Sequence, residues 1–141
     1  IGMLEKNIDG KPGAERIHTH SGDLLKPETV IPGGFDVVWM SQFLDCFSEE
    51  QVVSILSRVA KSITADTQVF IMETLWDRQR FDTASFDLTQ TSVYFTAMAN
   101  GNSKMFFSVD LENMIGNAGL KIVEIIDNLG YGHSLIRCVL K

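Results

Sequence analysis

Polar and acidic side chains follow the ends of two predicted strands. Ser41 and Asp45 come shortly after an apolar run at residues 37–40, and Glu73 directly follows a second apolar run at residues 69–72. A carboxylate can accept a proton or a hydrogen bond from a ligand. In an open α/β sheet, ligands bind outside the carboxyl ends of the strands. The pattern therefore predicts a ligand-binding edge at this end of the sheet.

The two apolar runs and the helix between them form the centre of the predicted fold. In the predicted strand at residues 35–40, the run 37–40 is apolar on both faces, as is typical of a parallel strand that helices cover on both sides. Ser48 and Gln51 have the spacing of a capping box, and apolar residues then recur at i, i+3, i+4 and i+7. Residues 68–72 give the next buried strand, so the two strands are expected to lie side by side in parallel.

The remaining segments complete an α/β order that ends in a hairpin. We predict a short strand at residues 16–20, a helix at residues 81–99 and a further helix that Ser108 caps. The last two strands, at residues 121–126 and 134–140, are too close for a helical crossover and must pair antiparallel. The order predicts one α/β domain with a mostly parallel sheet and a terminal antiparallel hairpin.

Composition excludes several classes of partner. The net charge is -6 and the pI is about 4.9, without a basic block, which argues against nucleic acid and anionic membrane surfaces. Cys46 and Cys138 are expected to be free thiols of a reducing compartment, so a cytoplasmic protein is predicted. His18 and His20 share one face of a predicted strand without a third ligand nearby, so we expect no metal site.

Four motifs occur along the chain in a fixed order. Gly22 and Asp23 form a G-D pair, DVVWMSQFLDCFSEE covers residues 36–50, VFIMET contains Glu73, and residues 118–120 read A-G-L. The second motif aligns without a gap to the pattern D-x-x-x-M-K-x-x-x-H-D-W-S-D-E. In these motifs the chain resembles the class I S-adenosylmethionine-dependent O-methyltransferase family, typified by caffeate and flavonoid enzymes and their bacterial relatives.

The resemblance implies a Rossmann-like class I methyltransferase sheet that lacks its first strands. The family's glycine-rich cofactor loop and its N-terminal dimerisation domain have no counterpart in the sequence. Residues 1–141 are therefore expected to form the C-terminal part of a methyltransferase catalytic domain, and to bind cofactor poorly in isolation. The predicted strand at residues 16–20 lacks its usual neighbour, so a homodimer is an expected assembly.

The resemblance also implies the ligands and the residues that hold them. The cofactor is S-adenosylmethionine, and the methyl acceptor is a small molecule. The positions that match the family's cofactor-binding residues are Gly22, Asp23, Leu24, Met40 and Ser41. The segment that covers the acceptor in the family contains Phe86, Tyr94 and Met98.

Two acidic residues match the family's catalytic positions. Asp45 stands where the family has its histidine base, and Glu73 stands where an acid orients that base. An aspartate is the weaker base by roughly 2.6 pKa units, although burial can raise its pKa. Three interpretations stay open: Asp45 is a retuned base, the acceptor is only positioned, or activity is lost. The alternative function is a non-catalytic scaffold or dimerisation module.

Overall fold

The computed structural model describes residues 2–99 and 101–141, which divide into two units after residue 30. The first unit contains helix α1 (Gly2–Ile8) and a 3₁₀ turn at Ala14–Arg16, neither with a buried residue. The prediction of a strand at residues 16–20 is wrong, because residues 17–23 adopt no regular structure. A strand needs a neighbour to satisfy its backbone groups, and no described strand pairs with this segment.

The second unit holds the sheet and three further helices. In chain order its elements are β1 (Val37–Ser41), α2 (Glu49–Ser62), β2 (Gln68–Glu73), α3 (Asp82–Met98), α4 (Ser108–Asn117), β3 (Leu120–Leu129) and β4 (His133–Leu140). The predicted helices and strands of this unit are confirmed within a few residues.

The four strands lie in the order β1-β2-β4-β3. β1 and β2 are parallel, and their register runs from Val37 opposite Gln68 to Ser41 opposite Met72. β4 is antiparallel to both β2 and β3, which confirms the terminal hairpin. Among the described strands one pairing is parallel and two are antiparallel, because residues 16–20 do not add the further strand that was predicted.

The core lies between one face of the sheet and the helices α2 and α4. The apolar stripe of α2 is buried as expected, and the capping box of Ser48 and Gln51 begins the helix. Leu111, Met114 and Ile115 of α4 pack into the same cluster. On β1 the opposite face is open: Val37 is 51% and Trp39 is 55% exposed.

Helix α4 does not begin as the sequence suggests. Ser108 is its first residue rather than its cap, and the cap residue Phe107 offers no side-chain hydrogen bond. Gly119 follows the helix with φ +88°, a left-handed conformation that glycine adopts readily. Cys46 and Cys138 are both free thiols, as predicted. None of the described helices is long and apolar enough to cross a membrane.

Candidate active site

The ends of β1 and β2 meet at one edge of the sheet. Because the two strands are parallel and in register, Ser41 ends β1 beside Met72, and Glu73 follows as the last residue of β2. We call this edge, with the loop 42–48 that leaves it, the carboxyl edge. It is the position that the sequence predicts for ligand binding.

The loop that leaves β1 is fixed to the strand and to the core. Gln42 has φ +47°, which turns the chain sharply, and its backbone N–H donates to the carbonyl of Met72 at 2.9 Å. A 3₁₀ turn then runs from Leu44 to Cys46, and the side chain of Leu44 is fully buried in the core. The buried leucine and the backbone contact together determine where Asp45 lies.

Glu73 holds the backbone of this loop. Its Oε1 accepts hydrogen bonds from the backbone N–H groups of Phe43 at 3.0 Å and Leu44 at 2.8 Å. These are N–H groups at the start of a 3₁₀ turn, which have no partner within the turn itself. The glutamate therefore caps the turn that carries Asp45, whereas the sequence assigned it to the orientation of a side-chain base.

The second oxygen of the Glu73 carboxyl group is buried without a partner in the part of the chain that the structure describes. The residue is only 1% exposed. The pKa of its carboxyl group is raised to about 7: burial has the largest effect, the backbone donors oppose it, and the nearby charge of Asp45 adds to it. Near neutral pH the group is therefore divided between its charged and neutral forms.

Asp45 is half-buried, and it accepts hydrogen bonds from the Cys46 thiol and from the backbone N–H of Lys104. Burial raises the pKa of its carboxyl group, while a hydrogen bond from the Cys46 thiol, with Sγ at 3.5 Å from Oδ1, opposes the rise. The backbone carbonyl of Asp45 accepts a hydrogen bond from the N–H of Lys104 at 3.0 Å. Burial also raises the pKa of Cys46, so this thiol stays protonated and can donate.

A segment after β2, residues 76–79, connects the carboxyl edge to the rest of the sheet, and we call it the strap. Asp77 accepts from the backbone N–H of Ser108 at 2.8 Å and from its hydroxyl at 2.5 Å. Arg78 forms a two-pronged ion pair with Asp127, at 2.8 and 2.6 Å. These contacts join residues 31 and 49 positions apart, and no local pattern in the sequence indicates them.

The predicted cofactor residues fall in both units. In the first unit, Asp23 lies in a turn in which its Oδ1 accepts from the N–H of Leu25 at 3.0 Å, and Gly22 and Leu24 flank it. In the second unit, Ser41 is half-buried at the carboxyl edge, whereas Met40 belongs to the hydrophobic core.

The predicted acceptor residues lie on α3, which contains no buried residue. Phe86, Tyr94 and Met98 all have exposed side chains. The helix is held by its ends and neighbours: Ser85 donates to the carbonyl of Trp76, and the hydroxyl of Ser92 accepts from the N–H of Met105.

Comparison with solved structures gives the same fold at low sequence identity. The mitomycin 7-O-methyltransferase MmcR is 17% identical with a TM-score of 0.81, over 99% of this chain and 39% of that chain. PigF, solved with SAH, is 18% identical with a TM-score of 0.79, over 99% and 45%. An O-methyltransferase family 2 protein from Planctomyces limnophilus, solved with apigenin, is 17% identical with a TM-score of 0.76, over 98% and 40%.

The chain spans less than half the length of these structures, and no curated protein sequence matches it significantly. The sequence model of the O-methyltransferase domain matches residues 6–121, which is most of the chain. Together with the sheet order and the carboxyl edge, that match establishes that the chain belongs to the O-methyltransferase domain family.

Proposed function

We propose that the protein is an S-adenosylmethionine-dependent methyltransferase that methylates an oxygen atom of a small molecule. The proposal depends on one observation: at the carboxyl edge, buried Glu73 holds the loop that bears Asp45 through two backbone hydrogen bonds. The chain also belongs to the O-methyltransferase domain family. An enzyme of this class gains much of its rate by placing the acceptor in line with the methyl group. A rigid loop at the strand ends suits that task.

The residues present fit the proposed cofactor in part. S-adenosylmethionine supplies the electrophilic methyl group when bound. Asp23 is exposed, and only its Oδ1 is used within its own turn, so Oδ2 is available to accept from an adenine amino group. Within the second unit, Ser41 has a half-buried hydroxyl at the carboxyl edge. Met40 packs in the hydrophobic core, so in this proposal it holds the end of β1 in place and does not contact the cofactor.

Asp45 is the base in this proposal. Removing the proton of an acceptor hydroxyl requires a basic group whose pKa is not far below the pH of the medium. Burial raises the pKa of Asp45, which narrows the difference from the histidine that the family has at this position. The Asp45 carboxylate would take the proton of the acceptor hydroxyl, which makes that oxygen more nucleophilic toward the methyl group of the bound cofactor.

The test is turnover by the intact protein with S-adenosylmethionine and a panel of phenols, measured as release of S-adenosylhomocysteine. The Asp45→Asn variant keeps the size of the side chain without its basicity, and we expect a loss of about 10²-fold or more. Asp66→Asn, at an exposed turn position, is the matched control and should retain full turnover. Full turnover by Asp45→Asn would instead mean that the acceptor is only positioned.

Absence of both turnover and calorimetric binding of S-adenosylmethionine by the intact protein would support the scaffold interpretation. We also propose that the protein acts in the cytoplasm, where free Cys46 and Cys138 stay reduced.

We further propose that the chain forms a homodimer. The outer edge of β1 has no partner strand among the described residues, and its open face exposes Val37 and Trp39. An unpaired strand edge beside an apolar face favours association.

A further inference from the structure

A groove of about 320 Å³ lies between the β3–β4 turn and the beginning of α3, and we call it the hairpin groove. Its size is at the lower end of the range for small-molecule sites. One wall is formed by Gln79, Arg80 and Phe81, and the other by Asn128, Tyr131 and Gly132. None of these residues is among the predicted site residues.

The two walls are held together by one side-chain amide. The Nε2 of Gln79 donates to the carbonyl of Leu75 at 2.7 Å and to the carbonyl of Gly132 at 2.9 Å. Gly132 has φ +96°, and a Cβ there would lie 2.3 Å from the Oε1 of Gln79. Glycine adopts this left-handed φ readily, whereas a side chain there would displace the end of Gln79. The groove is preformed, which lowers the entropic cost of binding a ligand.

A cation lines the groove without an anionic partner. The guanidinium of Arg80 lies over the ring of Phe81, 5.3 Å from its centroid, and no described carboxylate is within ion-pair distance of it. Stacking on a ring occupies the face of a guanidinium and leaves its in-plane N–H groups free. Those groups match the two oxygens of a carboxylate.

The rest of the groove favours a flat ring. Phe81 is 61% exposed and Tyr131 is 100% exposed, so both rings are free to contact a ligand. Phe81 is also the N-cap of α3 and offers no side-chain oxygen to the first-turn N–H groups, which favours an anion nearby. Asp82 in that first turn weakens this field, so the charge of Arg80 is the main attraction for an anion.

We propose that the hairpin groove binds the carboxylate end of a flat aromatic molecule, with Arg80 pairing with the carboxylate and Phe81 and Tyr131 contacting the ring. The proposal rests on the proposed function and deepens it, because it gives the methyl acceptor a carboxylate. Gly132 lies just before β4, whose Ser134 pairs with Glu73 at the carboxyl edge. Because β4 lies two strand spacings from β1, about 10 Å, the groove and the loop that bears Asp45 are at the same end of the sheet.

The experiment is an NMR titration of the protein with 2-naphthoate, followed through the backbone amides of Gly130 and Gly132. Its neutral counterpart, 2-naphthalenemethanol, has the same rings without the charge. We expect 2-naphthoate to bind at least tenfold more tightly than the alcohol. Arg80→Met should weaken 2-naphthoate at least tenfold, Arg80→Lys should weaken it less, and neither should change binding of the alcohol.

Arg16→Met, which removes an exposed arginine of the first unit, is the matched control and should leave both affinities unchanged. The proposal is overturned if 2-naphthoate does not bind, if it shifts amides outside the groove instead, or if Arg80→Met binds it as tightly as the unaltered protein does. The titration contains no S-adenosylmethionine. Failure of methyl transfer would therefore appear in the turnover assay alone and leave this result intact.

Discussion

At the scale of single residues, Glu73 combines two properties that rarely occur together. One carboxyl oxygen accepts two backbone N–H groups, while the other is buried without a partner in the described part of the chain. The backbone donors favour the charged form, and burial favours the neutral form. Burial has the larger effect, and it raises the pKa of Glu73 to about 7. The loop that bears Asp45 is consequently held by a group that titrates near neutral pH.

Glu73 should make the stability of the protein depend on pH. Its pKa is 4.5 in the unfolded chain and about 7 in the folded chain. Between these values the folded protein binds more protons, so the free energy of unfolding falls as pH rises. Its contribution is complete below pH 4.5 and is lost through pH 7, a change of roughly 3 kcal/mol. Urea unfolding of the unaltered protein and of Glu73→Gln at pH 4.5 and pH 8 measures it.

Glutamine keeps an oxygen that accepts from Phe43 and Leu44, so Glu73→Gln isolates the titration from the hydrogen bonds. Between pH 4.5 and pH 8, the free energy of unfolding should fall by roughly 3 kcal/mol less in this variant than in the unaltered protein. Glu28→Gln, at an exposed position, should behave like the unaltered protein. Identical pH dependence in all three proteins would mean that folding does not raise the pKa of Glu73.

At the scale of elements, the strap provides a helix cap that a residue next to the helix in sequence usually provides. Helix α4 has no side-chain cap of its own, and Asp77 supplies one from 31 residues earlier by accepting from Ser108. A carboxylate at a helix N-terminus satisfies free N–H groups and interacts favourably with the helix dipole. The same segment contacts β3 through Arg78 and the hairpin turn through Gln79. Three elements are thus aligned with the carboxyl edge by four consecutive residues.

Asp77→Ala should destabilise the protein by about 1 to 2 kcal/mol, the usual cost of losing a helix cap. The measurement is the midpoint of urea unfolding at constant m-value. Asp87→Ala is the matched control, because this exposed aspartate lies within α3 and its side chain makes no described contact. Its unfolding free energy should change by less than about 0.5 kcal/mol. Equal effects of the two substitutions would show that Asp77 does not cap α4.

At the scale of the whole molecule, the two faces of the sheet differ. One face packs on α2 and α4 and contains the core. On the other face Trp39 and Phe70 contact each other with ring centroids 5.9 Å apart, and Trp39 is mostly exposed. A large aromatic side chain left in water on a strand edge is unfavourable for an isolated monomer. This asymmetry supports the proposed homodimer.

Sedimentation velocity over a range of concentrations tests the homodimer. We expect reversible dimers of the unaltered protein, and Trp39→Lys should weaken association at least tenfold because a charge is costly to bury in an apolar interface. Val30→Lys, also on an exposed apolar side chain but in the first unit, should associate normally. A monomer at every concentration, or dimers unaffected by Trp39→Lys, would contradict the proposal.

Local patterns in the sequence predicted most of the second unit. The capping box of α2, its buried stripe, the parallel pair β1 and β2 and the terminal hairpin all follow from short-range rules of spacing and connection length. The prediction at residues 16–20 failed because strand formation depends on a partner that a local pattern cannot supply. The cap of α4 was assigned to Ser108 for a related reason, since the residue that accepts its hydrogen bonds is far away in sequence.

The sequence by itself determined that Asp45 and Glu73 stand at the ends of parallel strands, because periodicity and turn signals act over a few residues. Only the tertiary structure decided what these groups do. Glu73 holds backbone N–H groups 29 and 30 residues away, and its pKa depends on burial by elements that are distant along the chain. The hairpin groove likewise exists only where Gln79 meets Gly132, 53 residues later. Desolvation and long-range hydrogen bonds depend on packing in three dimensions, which spacing along a chain does not encode.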